Sequence, residues 1–263
     1  RVAPRPQGQR VAARRRSGCD APRVVAADQD QSAREAAAAA AAELVEPGMT
    51  IGLGSGRAVW RVVELLGSRS GFRAVVASER TASLAREAGI ELVELDGSIE
   101  LDLALDGADE LDRELRLIKG GGGALLREKI VISAARRFVV VAETSKLVER
   151  LGQSFRLPVE VVRFGWRDTR RRLLPLLPDA DLRLRDDGEP YLTDESHFIL
   201  DAPIPAEADI DLLARSLATV PGVVETGLFL GLAQRALLGR PDGGVDVLEW
   251  TSAGRRSARD RAE

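Results

Sequence analysis

The chain is poor in the residues that most often build metal centres and disulfides: among 263 residues there is one cysteine, Cys19, and one histidine, His197. A lone cysteine excludes an internal disulfide framework and fits a reducing compartment. One histidine and one cysteine cannot supply a His/Cys metal centre, so no metal is expected. No apolar run approaches the roughly 18 residues that suggest a transmembrane helix. A net charge of −3 argues against a nucleic-acid partner, although both ends are locally basic. A soluble, cytoplasmic protein is therefore expected. Lysine is also scarce: of 38 basic residues only Lys119, Lys129 and Lys146 are lysines, so arginine is the default cation. Where lysine persists, a compact ammonium with a movable proton is wanted in place of a planar fork. Lys119 and Lys146 both fall in turns that carry candidate chemistry.

What the chain has in quantity is hydrophobic residues, 44% of the total, enough for one large domain or two modest ones. Residues 1–29 read as a disordered basic extension and 253–263 as a disordered tail. Between them an alanine-rich helix is expected over 31–45, ended by Glu46-Pro47-Gly48. Apolar runs at 49–53, 72–77, 90–95, 101–105 and 138–142 then alternate with amphipathic helices at 59–66, 81–88 and 124–133. Continuous apolar strands between helices predict a doubly wound α/β domain with a mainly parallel sheet. After residue 153 the order becomes strand, helix, two strands, helix, strand, the last over 223–230, which predicts a smaller ferredoxin-like α+β domain over 154–221. The chain then returns to the first domain, assigned to 30–153 and 222–252, with 244–250 as its final strand.

Three turns carry the chemistry. The segment Lys119-Gly120-Gly121-Gly122-Gly123 lies between an expected strand at 115–118 and a helix holding Glu128. Consecutive glycines at a helix N-terminus let backbone N–H groups approach an anion. Glu128 has the apolar neighbours Leu125, Leu126, Ile130 and Val131, which would desolvate its carboxylate and make it a base near neutrality. A surface glutamate paired with Arg127 or Lys129 is equally compatible with the spacing. The acidic turn Asp106-Gly107-Ala108-Asp109-Glu110-Leu111-Asp112 follows a buried strand; Asp106 and Asp109 either contact substrate hydroxyls and move protons or merely cap a turn. The turn Gly54-Ser55-Gly56-Arg57-Ala58 follows the first strand. A dinucleotide fingerprint beginning at Gly52 would need glycine at position 57 and meets Arg57, although Glu79 stands where a ribose-binding acid is expected. A phosphate loop explains the turn better. His197 is read as a satisfied or exposed histidine, not a catalyst.

Taken together, Gly52-Leu53-Gly54-Ser55-Gly56, Leu105-Asp106-Gly107-Ala108-Asp109-Glu110, residues 118–130, Glu143-Thr144-Ser145-Lys146, Leu157-Pro158-Val159-Glu160-Val161 and Pro221-Gly222-Val223-Val224-Glu225 resemble the type A ribose-5-phosphate isomerase family. The resemblance implies a cofactor-free aldose–ketose isomerase, working as a homodimer or tetramer on a sugar phosphate. It implies that Glu128 shuttles a proton through an enediolate and that Lys119 with the amides of Gly120, Gly121 and Gly122 stabilises the oxyanion. Asp106 and Asp109 would contact the sugar, with Gly107 and Ala108 beside them. Lys146, Arg34 and the loop of Ser55, Gly56, Arg57 and Ala58 would hold the phosphate. The sequence departs from the family where glycine-serine-threonine is usual and Gly56-Arg57-Ala58 stands instead, and again at Thr193-Asp194-Glu195-Ser196-His197 and Thr226. The other function classes open at this stage are a non-catalytic sugar-phosphate sensor and a nicotinamide-dependent oxidoreductase.

Overall fold

A computed structural model describes residues 21–250 and 256–257, with side chains described from Gln29. Helix α1 (Ala21–Ala42) leads into β1 (Thr50–Leu53), α2 (Arg57–Leu66), β2 (Arg73–Val76), α3 (Glu79–Glu87), β3 (Glu91–Leu92) and β4 (Leu103–Asp106). The hairpin β5 (Glu110–Leu111) and β6 (Leu117–Ile118) precedes α4 (Leu125–Ser133) and β7 (Phe138–Glu143), after which Thr144–Lys146 make one 3₁₀ turn. Next come β8 (Leu157–Val161), α5 (Trp166–Leu173), β9 (Asp181–Leu182), β10 (Phe198–Ala202), α6 (Ile210–Ala218) and β11 (Val223–Thr226). The chain ends through β12 (Leu228–Phe229), β13 (Arg235–Gly239), β14 (Val245–Glu249) and β15 (Arg256–Ser257).

Eight strands form the central sheet, in the order β15-β14-β13-β7-β4-β1-β2-β3. The six strands from β13 to β3 run parallel, and β14 and β15 add an antiparallel edge. All six residues of β7 and all four of β1 and β4 are buried, as strands covered on both faces must be. Helix α2 supplies Val59, Val62, Val63 and Leu66, one helical stripe, to one face. Helix α1 lies against β7 and β13, presenting Ala33, Ala37, Ala38, Ala41 and Ala42. Small residues allow a close approach there: a Cβ on Gly239 of β13 would come within 1.7 Å of the Ala33 carbonyl oxygen.

A separate antiparallel sheet, β11-β8-β10-β9, carries α5 and α6 in the expected strand–helix–strand–strand–helix–strand order. Its core joins Val159, Val161, Leu200 and Ala202 to Leu173, Leu213 and Leu217 of the helices. The fold class is thus the mainly parallel α/β sheet with a smaller antiparallel α+β unit that the sequence pattern predicts.

Several boundaries differ from expectation. Helix α1 starts at Ala21 and not at residue 31, so the stretch 21–29 expected as disordered is helical; its composition holds no glycine and its proline is near the first turn, where no N–H is needed. Residues 1–20 of that extension lie outside the described residues. Arg256–Ser257, expected in a disordered tail, pair with β14, whose free edge offers unsatisfied backbone groups, while the rest of 253–263 lies outside the described residues. Leu115 is not in a strand but takes a left-handed turn, φ 56°, with its N–H donating to Asp112 O. Strand β6 joins a three-stranded antiparallel sheet with β5 and β12, apart from the central sheet. The single strand expected over 223–230 is broken at Gly227, because β11 follows β8 while β12 turns to pair with β6. The N–H of Gly227 donates to Pro158 O and its carbonyl accepts from Lys119 N, so the break ties the antiparallel unit to the glycine loop.

Candidate active site

The first glycine turn and the acidic turn lie at the carboxyl ends of the adjacent parallel strands β1 and β4, where open α/β sheets place their ligands. The β5–β6 hairpin then folds back beside them: Asp109 N donates to Ile118 O, at 2.9 Å, which brings the Lys119 glycine loop over the same end. A cleft results, lined by Ser55, Gly56, Arg57, Ala58, Gly107, Ala108, Asp109, Lys119, Gly120, Gly121, Gly122, Glu128 and Lys146, with Arg34 of α1 at its side. Every residue expected to bind substrate lines it except Asp106, which is completely buried directly behind. Val141 and Glu143 line it too; the sequence reading placed Glu143 in a motif without giving it a role and did not single out Val141.

At the floor of the cleft the Lys119 ammonium lies 2.9 Å from Asp106 Oδ2 and 3.2 Å from Glu128 Oε2, and donates to Gly107 O at 2.9 Å. The ring of Phe229 faces it, 5.5 Å from centroid to Nζ. Asp106 Oδ1 accepts the backbone N–H of Ser55 and of Gly107, at 3.2 and 2.7 Å. Among the described residues, the polar partner of both Asp106 Oδ2 and Glu128 Oε2 is the Lys119 ammonium. Two carboxylates therefore share one buried cation.

Burial, together with the neighbouring Asp106 charge, pushes the Glu128 carboxyl up to about 8, with Lys119 pulling the other way. Burial likewise raises Asp106 despite the ammonium beside it. For Lys119 burial opposes the charged form, but Asp106 and Glu128 more than offset it and its pKa is raised. The arrangement holds a protonated lysine against a carboxylate poised to gain or lose a proton. Glu128 is thus not a surface glutamate: Arg127 pairs with Glu79, Asp194 and Glu195, and Lys129 with Glu225. Its inward stripe is Leu125, Val131 and Ile132, whereas Ile130 is half exposed.

The four acids of the acidic turn separate by task. Asp106 and Asp109 face the site, Asp109 Oδ2 accepting Gly121 N–H at 2.8 Å. Glu110 accepts backbone N–H groups of Gly152, Ser154 and Phe155, and Asp112 holds Arg116 by a 2.6 Å ion pair. Arg34 pairs with Glu143 at 2.6 Å, so part of its charge is already engaged. Behind the first loop Ser78 Oγ donates to Ser55 Oγ and Thr81 Oγ1 to Gly54 O, two polar supports the sequence reading did not find. Glu79 lies outside the cleft and pairs with Arg127, which removes the ribose-binding acid from the dinucleotide reading. His197 Nδ1 lies 3.0 Å from Glu160 Oε1, a satisfied histidine as expected. Glu160 also accepts from Thr193 Oγ1 and from the N–H of Leu126, which sets a carboxylate at the N-terminus of the helix that carries Glu128.

A parallel α/β sheet with a buried acid–base cluster and an amide-rich loop at its carboxyl edge defines a proton-transfer enzyme acting on a small anionic substrate. The family model for ribose 5-phosphate isomerase A (phosphoriboisomerase A) matches residues 73–243. Ribose-5-phosphate isomerase A of Roseiflexus castenholzii is 49% identical over 233 residues, covering 86% of this chain and 99% of its own length. The enzyme of the same name from Sinorhizobium fredii is 50% identical over 217 residues, 79% of this chain and 93% of its own. Among solved structures, a D-ribose-5-phosphate isomerase in complex with phospho-erythronic acid superposes with a TM-score of 0.80 at 35% identity, covering 84% of this chain and 99% of that one. Ribose 5-phosphate isomerase A from Methanocaldococcus jannaschii gives 0.79 at 36% identity over 84% of this chain and all of that one. The chain belongs to the ribose 5-phosphate isomerase A family.

Proposed function

We propose that the chain interconverts D-ribose 5-phosphate and D-ribulose 5-phosphate, with Glu128 as the proton-shuttling base. The observation that carries this is the Lys119 ammonium held between Asp106 and Glu128 at the foot of the glycine loop. In the open-chain aldose, Glu128 takes the proton from C2 while charge develops on O1. Lys119 and the amides of the glycine loop stabilise that oxyanion, a contribution that is usually the largest single one in such sites. The same proton returns from Glu128 to C1, and a proton passes from O2 to O1, so the C2–H bond is exchanged for C1–H with no net redox change. Asp106 and Asp109 hold the sugar hydroxyls and assist ring opening. Lys146, Arg57, Ser55 and the amides after β1 hold the phosphate; Arg57 is exposed at the first turn of α2, where a cation and the helix N-terminus act on an anion together. Arg34 contributes to the same anchor through the part of its guanidinium not engaged by Glu143.

The partition into a catalytic domain and the ferredoxin-like unit, the cytoplasmic location and the homodimeric or tetrameric state belong to this proposal. Among the described residues no helix is long and apolar enough to cross a membrane. Phospho-erythronic acid, with a phosphate at one end and a carboxylate at the other, matches the two anion-binding ends of the cleft and is expected to bind here as well. The test is ketose formation from ribose 5-phosphate, with chelator and no added cofactor, beside Glu128→Gln. Turnover by the parent and a loss of about 10² or more in the folded variant are expected. A variant as active as the parent removes Glu128 from the chemistry.

A further inference from the structure

The glycine loop is soft by composition, yet its carbonyls are held from outside by two side chains of the antiparallel unit. Arg183 Nη1 donates to Gly120 O at 2.9 Å and to Gly121 O at 3.1 Å. The rest of its guanidinium is locked on Asp201, Nε to Oδ2 at 2.8 Å and Nη2 to Oδ1 at 2.6 Å. Tyr191 donates its hydroxyl to Gly122 O at 3.0 Å, its ring lies 5.8 Å from the Arg183 guanidinium, and its N–H donates to Arg183 O. Three successive loop carbonyls are therefore engaged by one buttress. The ring occupies room that only glycine leaves: a Cβ on Gly123, where φ is +84°, would come within 2.3 Å of the Tyr191 oxygen.

In a trans peptide the N–H points opposite to the preceding C=O. Holding the carbonyls of Gly120 and Gly121 toward Arg183 thus turns the N–H groups of Gly121 and Gly122 the other way, into the cleft. Gly121 N–H there meets Asp109 Oδ2, and both residues line the cleft while Arg183 and Tyr191 do not. Amide dipoles fixed before the reaction need no reorganisation as charge develops, whereas four free glycines would sample several plane orientations. We infer that Arg183, seconded by Tyr191, is a positioning residue that sets the peptide planes of the oxyanion loop. A lysine cannot replace it, because a single ammonium cannot hold the bidentate Asp201 pair and bridge two carbonyls at once.

This rests on the proposed role of the loop amides, and the experiment separates the two. Arg183→Lys and Tyr191→Phe are compared with the parent by steady-state kinetics on ribose 5-phosphate and by titration with phospho-erythronic acid and with inorganic phosphate. The expectation is a kcat reduced by about tenfold or more in Arg183→Lys and about threefold in Tyr191→Phe, with KM within about threefold. Affinity for phospho-erythronic acid falls while that for inorganic phosphate stays, since the anchor after β1 is untouched. Tyr191→Phe removes one hydroxyl from a half-buried ring and keeps the test decisive if Arg183→Lys fails to fold. Folded variants with parental kcat, or with KM raised alone, overturn the inference. If that happens while Glu128→Gln is inactive, the isomerase mechanism stands and only the buttress is lost.

Discussion

Lys119 brings one positive charge to two buried carboxylates, and that shortage decides where the proton of the base sits. With burial and Asp106 both disfavouring its ionised form, Glu128 titrates at about 8, so the rising limb of kcat/KM is expected near that pH. Asp106→Asn removes the neighbouring negative charge and leaves Lys119 to Glu128 alone. The sign follows: the Glu128 pKa falls, and the limb moves to lower pH by about one unit, a shift typical of a single close charge. The absolute rate is expected to fall as well, because Asp106 holds the Lys119 ammonium at 2.9 Å on the floor of the cleft. A pH–rate profile of the variant checks this, and a limb that stays or moves upward would remove Asp106 as the source of the shift. At this scale the sequence showed Glu128 among apolar neighbours, since i±3 and i±4 spacing on a helix fixes its face. It did not show that Lys119 meets Asp106, 13 positions away across two different sheets, except through the family resemblance. Arg183 was invisible for the same reason: its partners lie 62 and 63 positions back, and an arginine in an arginine-rich chain carries no signal of its own.

Among the elements, the alternation of apolar runs with helices was enough to place β1, β2, β4 and β7, because a strand buried on both faces must be apolar throughout. Strand β13 was missed: Arg235–Gly239 is five residues of arginine, alanine, leucine and glycine, a composition without β-branching that gains its extended form from pairing with β7 and β14. The turn after β1 was found, but not the reason for its first glycine, Gly54. A Cβ on Gly54 would lie 1.8 Å from Asp106 Cγ, while Gly54 N donates to Leu105 O and its carbonyl accepts from Thr81, so the backbone cannot withdraw. Gly54→Ala must instead displace the Asp106 carboxylate from Ser55 N–H and Lys119. Destabilisation of about 1–3 kcal/mol is expected, as for overpacking elsewhere, with a large loss of activity. Gly122→Ala is the control for stability: an added methyl meets nothing within 4 Å, so its unfolding midpoint should match the parent's. Equal denaturant midpoints for Gly54→Ala and the parent would show that the turn yields more than its hydrogen bonds imply.

Over the whole molecule, the cleft is lined by one unit and braced by the other. Arg34 comes from α1, Ser55 and Asp106 from the ends of β1 and β4, Lys119 from the hairpin sheet and Glu128 from α4, while Arg183 and Tyr191 of the antiparallel unit hold the glycine loop from behind and Gly227 is bonded to both Pro158 and Lys119. A ligand filling the cleft therefore stabilises both units together. At 100 times its dissociation constant, phospho-erythronic acid should add about 2.7 kcal/mol to the folded state. For a chain of this size that is a rise of about 5–10 °C in Tm. The two units can be followed separately, because Trp60 lies on α2, bonded to Thr81 of α3, and Trp166 begins α5. Variants in which Trp250 and one of these two are replaced by phenylalanine, leaving Trp60 or Trp166 as the single tryptophan, should report a single transition that moves by the same amount at both positions. A ligand shift seen by Trp60 with an unmoved, separate transition at Trp166 would mean that the antiparallel unit folds without reference to the site, and the buttress of the glycine loop would then contribute nothing to binding.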